Sequence, residues 1–143
     1  MTIPIERWLL DTNIWVFGLR REGSLQDCDA LLNQIGSFRV VIPLQVLKEL
    51  NLNLSEDEIR NFYRLVNQYP EVAELSWQSA PVDRVRFYEE QGCRKGDAVI
   101  AAHAEALAVD LIITENRQFL QTIKSLQFGV LKPADAIARL SSP

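Results

Sequence analysis

Histidine and methionine each occur once in these 143 residues, and cysteine only twice. Cys28 and Cys93 lie far apart, without the close spacing of a thiolate metal site, so no cysteine-held zinc or iron–sulfur centre is expected. They suit reduced thiols in a cytoplasm. No long apolar run is present. The most apolar stretch, 98–109, is interrupted by His103 and Glu105, which excludes a membrane span. The opening MTIPIERWLL places Glu6 ahead of any apolar stretch, so no secretory leader is expected. Basic residues are outnumbered, 15 Lys and Arg against 19 Asp and Glu, for a net charge of −4. That excludes a protein held on DNA mainly by a basic surface. It leaves a nuclease open, because acidic clusters that bind metal lower the net charge themselves. Affinity for nucleic acid is then expected to be weak, or supplied in part by a partner. Repeats, low-complexity tracts and linkers are absent too, which predicts one domain over residues 1–143, large enough for a sizeable core.

What is present is an alternation of short apolar runs with amphipathic segments. Trp8-Leu9-Leu10 predicts a strand ending at Asp11, followed by a short helix over 14–19. Ser24 is placed to cap a helix carrying Leu25, Cys28, Leu31, Leu32 and Ile35, which Gly36 stops. Residues 38–42 predict a second strand, and Pro43 the first position of the next helix. Ser55-Glu56-Asp57-Glu58 is a capping box for an amphipathic helix that ends near Tyr69-Pro70. A short strand over 72–75, a helix over 81–91 stopped by Gly92, and an alanine-rich helix over 97–109 follow. Leu111-Ile112-Ile113 predicts a buried strand, 119–123 a short helix, 128–131 a last strand and 133–140 a closing helix. The fold class expected is α/β, a three-layer α/β/α arrangement around a central parallel sheet. Continuous apolar strands suit a sheet covered on both faces.

In such sheets ligands bind beyond the carboxyl ends of the strands. Asp11 follows the first strand there, with Asn13 two residues on, and Thr114-Glu115-Asn116 follows the Leu111–Ile113 strand. Glu49 and Asp97 are read as starting helices that face the same edge. Asp110 is a control: it sits at the other end of its strand, roughly 13 Å away at about 3.3 Å per residue. Each acid taken alone has a structural explanation as a cap, turn or helix-dipole residue. As a set, oxygen ligands without Cys or several His suit Mg²⁺ or Mn²⁺. Such ions orient and deprotonate water and stabilise the departing oxygen of a phosphodiester.

Four segments carry a resemblance to a known family. They are Leu9-Leu10-Asp11-Thr12-Asn13, the run from Pro43 to Leu50 containing Glu49, the run from Lys95 to Ala104 containing Asp97, and Ile113-Thr114-Glu115-Asn116-Arg117-Gln118-Phe119. In order and spacing they resemble the four acidic motifs of the PIN-domain family, and in particular its VapC-like ribonucleases. The resemblance spans essentially the whole chain. It implies a PIN-like fold and an endoribonuclease that cleaves single-stranded RNA with Mg²⁺- or Mn²⁺-activated water. It implies Asp11, Glu49 and Asp97 as the main acids, Asp11 and Asp97 holding metal. Asn116 stands where many relatives carry a fourth acid, with Thr114 as that motif's hydroxyl. An amide brings a carbonyl oxygen but no charge, which weakens a second metal and favours one; Glu115 is the lesser candidate for the fourth ligand. A toxin's role beside a cognate antitoxin, homodimerisation and a cytoplasmic location are implied likewise. In toxin relatives the region of the helix over 55–69 often meets the antitoxin.

Other residues have plainer readings. Arg20, Arg21, Arg94, Lys95 and Arg117 stand near the acidic motifs and are candidate phosphate contacts, or else solvated loop charges. His103 lies six residues beyond Asp97, off its helical face, and is read as a core or surface histidine. Trp15 is close enough to Asn13 to stack on a base, but is read as packing. The competing function is a non-catalytic RNA-binding or scaffold version of the same fold. A phosphoacceptor domain ranks third, because Glu6 and the late Lys124 and Lys132 are badly placed for one.

Overall fold

Strand β1 (Arg7–Leu10) exists because Trp8, Leu9 and Leu10 are apolar on both faces, and all three are fully buried. The computed structural model describes residues 6–20, 26–123 and 127–141. The expectations for Arg21, Ser24, Leu25 and Lys124 lie outside the described residues. After β1 come α1 (Thr12–Arg20), α2 (Gln26–Leu32), β2 (Arg39–Ile42), α3 (Leu44–Asn53) and α4 (Glu56–Asn67). Then follow β3 (Ala73–Leu75), α5 (Val82–Glu90), α6 (Lys95–Ala106), β4 (Leu111–Ile113), α7 (Arg117–Thr122), β5 (Gly129–Leu131) and α8 (Pro133–Ser141).

The sheet has the order β3-β2-β1-β4-β5, and every neighbouring pair is parallel. This is the three-layer α/β/α arrangement of the sequence reading. β1 sits at the centre, paired with β2 on one side and β4 on the other. The chain winds outward from β1 through β2 and β3, then crosses back to β4. The strand order therefore reverses between β1 and β4, and a crevice opens at such a switch point beyond the carboxyl ends. Leu10 is in register with Ile113, so the residues that follow them, Asp11 and Thr114, stand level at this crevice.

Local signals account for most boundaries. Ser55 accepts the Glu58 N–H at 3.2 Å and the Glu58 carboxylate accepts the Ser55 N–H at 2.9 Å, the reciprocal capping box. Gly92, at φ 101°, ends α5 in a conformation that costs a β-carbon residue. Several boundaries differ from expectation. Pro43 is the N-cap of α3 rather than its first helical residue, with ψ 167°. The alanine-rich helix begins at Lys95, takes Gly96 into its first turn, and ends at Ala106 rather than Val109. Its early end comes from Ala108, whose φ of 53° is left-handed and turns the chain into β4. α2 stops at Leu32, and turns carry the chain on to Gly36, at φ 109°.

Packing then fixes the helices around the crevice. Gly18 lets α1 approach α2: a β-carbon there would fall 2.5 Å from Leu32 Cδ1. Trp15, fully buried, meets Phe62 of α4 edge to face at 4.9 Å, an arrangement that contributes about 0.5–1.5 kcal/mol beyond area burial. Trp15 is thus a packing residue, as expected, and it anchors the long amphipathic α4 beside the helix that follows Asp11. α3 packs against both α1 and α6, which carries Glu49 and Asp97 to the same edge.

Candidate active site

Asp11 is held where β1 ends and α1 begins. It is buried, and each carboxylate oxygen has a donor: the Thr12 N–H to Oδ1 at 2.8 Å and the Thr114 hydroxyl to Oδ2 at 2.7 Å. Asn13 Nδ2 adds a longer contact to Oδ2 at 3.4 Å. Glu49 lies past the first turn of α3, not at its start. The Thr12 hydroxyl donates to its Oε2 at 3.3 Å and Gln45 Nε2 to its Oε1 at 3.4 Å. Asp97 sits within the first turn of α6, where the helix dipole favours a negative charge. Asn116 Nδ2 donates to its Oδ2 at 3.3 Å.

Asp11, Glu49, Asp97 and Asn116 line one open cavity of about 420 Å³, together with Arg20 and Asn53. Its electrostatics are those of acids crowded together. Burial raises the pKa of Asp11 despite the hydrogen bonds from Thr114 and Thr12. Glu49 is raised by burial, then by the charges of Asp11 and Asp97. Asp97 is raised from 3.8 to about 6, by burial first and by Asp11 second, against the opposing pull of Arg94 and Asn116. Carboxylates whose charged forms are disfavoured by burial and by a neighbouring acid are a set that a cation would stabilise. The donors are hard oxygens, which fits Mg²⁺ or Mn²⁺ and not a thiolate-seeking metal. Among the described residues no three acidic, His or Cys side chains form a ready-made metal cluster. The carboxylates share the cavity and sense one another's charge, but they are not closed around a point.

A family model for the PIN domain matches residues 8–124. The chain belongs to the PIN-domain family. Solved structures agree on the fold. A toxin–antitoxin complex from Klebsiella pneumoniae is similar at TM-score 0.62 and 21% identity, covering 87% of this chain and 96% of that one. PAE2754 from Pyrobaculum aerophilum aligns at TM-score 0.57 and 17% identity, over 96% of this chain and 97% of its own. VapBC2 from Rickettsia felis, bound to a DNA fragment from its promoter, aligns at TM-score 0.53 and 21% identity, over 88% and 98%. No curated protein matches the chain significantly.

In this PIN domain the sequence-derived candidates separate by what they touch. Thr114 is fully buried; its hydroxyl donates to Asp11 and accepts the Asn116 N–H at 3.0 Å. Asn116 does not offer its carbonyl oxygen to the cavity. Its Oδ1 accepts the Gln118 and Phe119 N–H groups at 3.0 and 3.3 Å, which caps α7 and uses both lone pairs. That bonding also settles which end of the amide faces Asp97. Glu115 turns away: its side chain accepts from Cys28 Sγ at 3.8 Å, and its N–H donates to Asn13 Oδ1 at 3.3 Å. Asp110, the control, lies at the opposite end of β4, where it accepts the Arg7 N–H at 2.8 Å.

Of the basic candidates, Arg20 lines the cavity but is bonded to Glu58 at 2.8 Å and to the Asn53 carbonyl at 2.9 Å. Arg94, Lys95 and Arg117 are exposed beside the acidic motifs, and Arg94 is felt by Asp97. Gln45 and Asn53 were not singled out from sequence. Both stand four residues from Glu49, one on each side, and that helical spacing was the available signal.

Proposed function

We propose that this PIN domain is a metal-dependent endoribonuclease that cleaves single-stranded RNA, and that it is the toxin of a type II toxin–antitoxin pair. The observation that carries the chemistry is that Asp11, Glu49 and Asp97 line one open cavity, where burial and the charge of Asp11 raise the pKa of both Glu49 and Asp97. Asp11 and Asp97 would hold Mg²⁺ or Mn²⁺. A bound divalent ion supplies an activated water and charge stabilisation for the departing oxygen.

The chain's own residues then divide the work. Thr114 and the Thr12 N–H hold the Asp11 carboxylate in one orientation. Asn116 holds Asp97 from the opposite side while capping α7, so it is a positioning residue here. Glu49, half-buried with a raised pKa, is suited to take a proton from the attacking water. Exposed Arg94, Lys95 and Arg117 would meet phosphates along the strand, with Arg20 at the cavity wall and Arg21 beyond the described residues. One metal suits a site whose fourth position is an amide occupied by capping.

Support for the toxin assignment is the fold shared with two toxin–antitoxin proteins. A cognate antitoxin, a homodimer and a cytoplasmic setting belong to the same proposal; among the described residues no helix is long and apolar enough to cross a membrane. Cleavage of an RNA pool with Mn²⁺, with Mg²⁺ and with chelator tests it, wild type against Asp97→Asn. Metal-dependent cuts that vanish in the variant are expected. Metal binding and RNA binding without cleavage would favour the second reading, a non-catalytic RNA-binding or scaffold PIN domain, to which the amide at Asn116 lends support.

A further inference from the structure

Beside the acidic cavity lies a second recess of about 180 Å³ that the chemistry above does not use. It opens between α3 and α6 and is closed by α5 and the segment after β3. Val85 and Val99 give it apolar walls, and Gln45, Lys48, Ser79 and His103 give it polar groups. His103 is the chain's single histidine and only 3% exposed. Its imidazole has no hydrogen-bond partner among the described residues, and the sealed, unpartnered side-chain atoms there are the Trp8 and Trp15 nitrogens. His103 thus lines the recess with its ring unpartnered among the described residues.

We propose that this recess seats the base of the nucleotide next to the scissile phosphate, with His103, Ser79 and Gln45 reading its edge. The inference rests on the ribonuclease reading. Gln45 links the two sites, because it lines the recess and also donates to Glu49 at 3.4 Å. A strand with a phosphate at the acids would place its neighbouring base here. Single-stranded RNA is read by apolar contact with base faces and hydrogen bonds to base edges, which is the mixture this lining offers. A phosphate would need more positive charge. Lys48 is the cation of this wall, and burial together with Lys48 lowers the His103 pKa to about 4, so the ring stays neutral. Trp77, 61% exposed, stands two residues before Ser79 on the same segment.

The single histidine makes the test direct. The His103 ring-proton NMR signal of the full chain is followed, without divalent metal, during titration with each of the four ribonucleoside 5′-monophosphates and with inorganic phosphate. Ser79→Leu, a change on an exposed segment, is titrated alongside. A saturable shift that depends on the base, weakened at least tenfold by Ser79→Leu and not produced by phosphate, is the expected result. An equal shift with inorganic phosphate overturns the proposal in favour of an anion site. No shift with any nucleotide in a protein that still cleaves RNA overturns the subsite and leaves the nuclease standing. A base-dependent shift in a protein that never cleaves RNA keeps the pocket and removes the nuclease. A signal that moves on dilution without nucleotide makes a second copy of the chain the occupant and also overturns it.

Discussion

The Thr114 hydroxyl donates a 2.7 Å hydrogen bond to Asp11 Oδ2 across the point where the strand order reverses. The two residues are 103 positions apart, and the parallel register of Leu10 with Ile113 sets them level. Thr114→Val removes that donor at nearly constant volume. The buried carboxylate then loses one partner, which costs about 1–3 kcal/mol of stability. Activity is expected to fall about 10–100-fold, as for other residues that orient a metal ligand. A thermal melt and a cleavage assay check both; full activity with unchanged stability would mean that the hydroxyl is not holding Asp11.

Asp97→Asn keeps the shape of the α6 first turn and removes a charge that burial and Asp11 already disfavour. The fold is expected to stay intact or gain stability. Cleavage is expected to fall by more than the roughly 10–100-fold typical of an outer partner. Circular dichroism paired with RNA cleavage reads this, and unchanged turnover would remove the metal mechanism.

Asn116 invites two substitutions with opposite consequences. Asn116→Ala loses the cap of α7, about 1 kcal/mol, together with the donor to Asp97. Asn116→Asp keeps a capping oxygen but sets a carboxylate against Asp97. The metal-free protein should then be less stable, while Mn²⁺ binds about tenfold tighter, about 1.4 kcal/mol. Calorimetric titration with Mn²⁺ separates the two variants. Equal affinity in wild type and Asn116→Asp would place the metal away from this residue.

The raised pKa of Asp97 gives a pH dependence of defined sign. Its folded value, about 6, stands above the ordinary 3.8, so the folded state binds the proton more tightly than the unfolded state. In metal-free protein this contribution to stability is therefore lost as pH rises from about 4 through about 6. A divalent cation competes with that proton, so stabilisation by Mn²⁺ should grow from about pH 5 to about pH 7. Melting temperatures with and without Mn²⁺ at both values measure it. An equal gain at both would separate Asp97 from the metal.

Asp110→Asn supplies the contrast. Its side chain accepts the Arg7 N–H at the amino end of β4, a role an amide oxygen can fill. Little change in cleavage is expected, and a large loss would move the active edge of the sheet.

Much of this was readable beforehand, because the signals are local. Unbroken apolar runs at Trp8–Leu10 and Leu111–Ile113 announce doubly covered strands, and the Ser55–Glu58 box marks the start of α4. The order of Asp11, Glu49, Asp97 and Thr114–Asn116 along the chain carried the family and the candidate site. The end of the alanine-rich helix was not readable, since helix propensity continues past Ala106 and only the left-handed Ala108 breaks it. Between Glu115 and Asn116 the sequence ranks Asn116 first but does not decide. Neighbouring side chains at a strand end diverge, and packing against Cys28 and α7 decides which one turns inward.

The sequence by itself determined the alternation of elements, and with it the parallel sheet and the edge at which polar residues collect. Periodicity and strand-end position depend on nearest neighbours, so they survive without coordinates. The tertiary structure alone decided what each polar atom does there. It gave the Asn116 carbonyl oxygen to a helix cap and its amide to Asp97, and paired Arg20 with Glu58. It left His103 unpartnered toward a recess, among the described residues. Hydrogen bonds between residues far apart in the chain depend on strand register and helix packing, which no local pattern specifies.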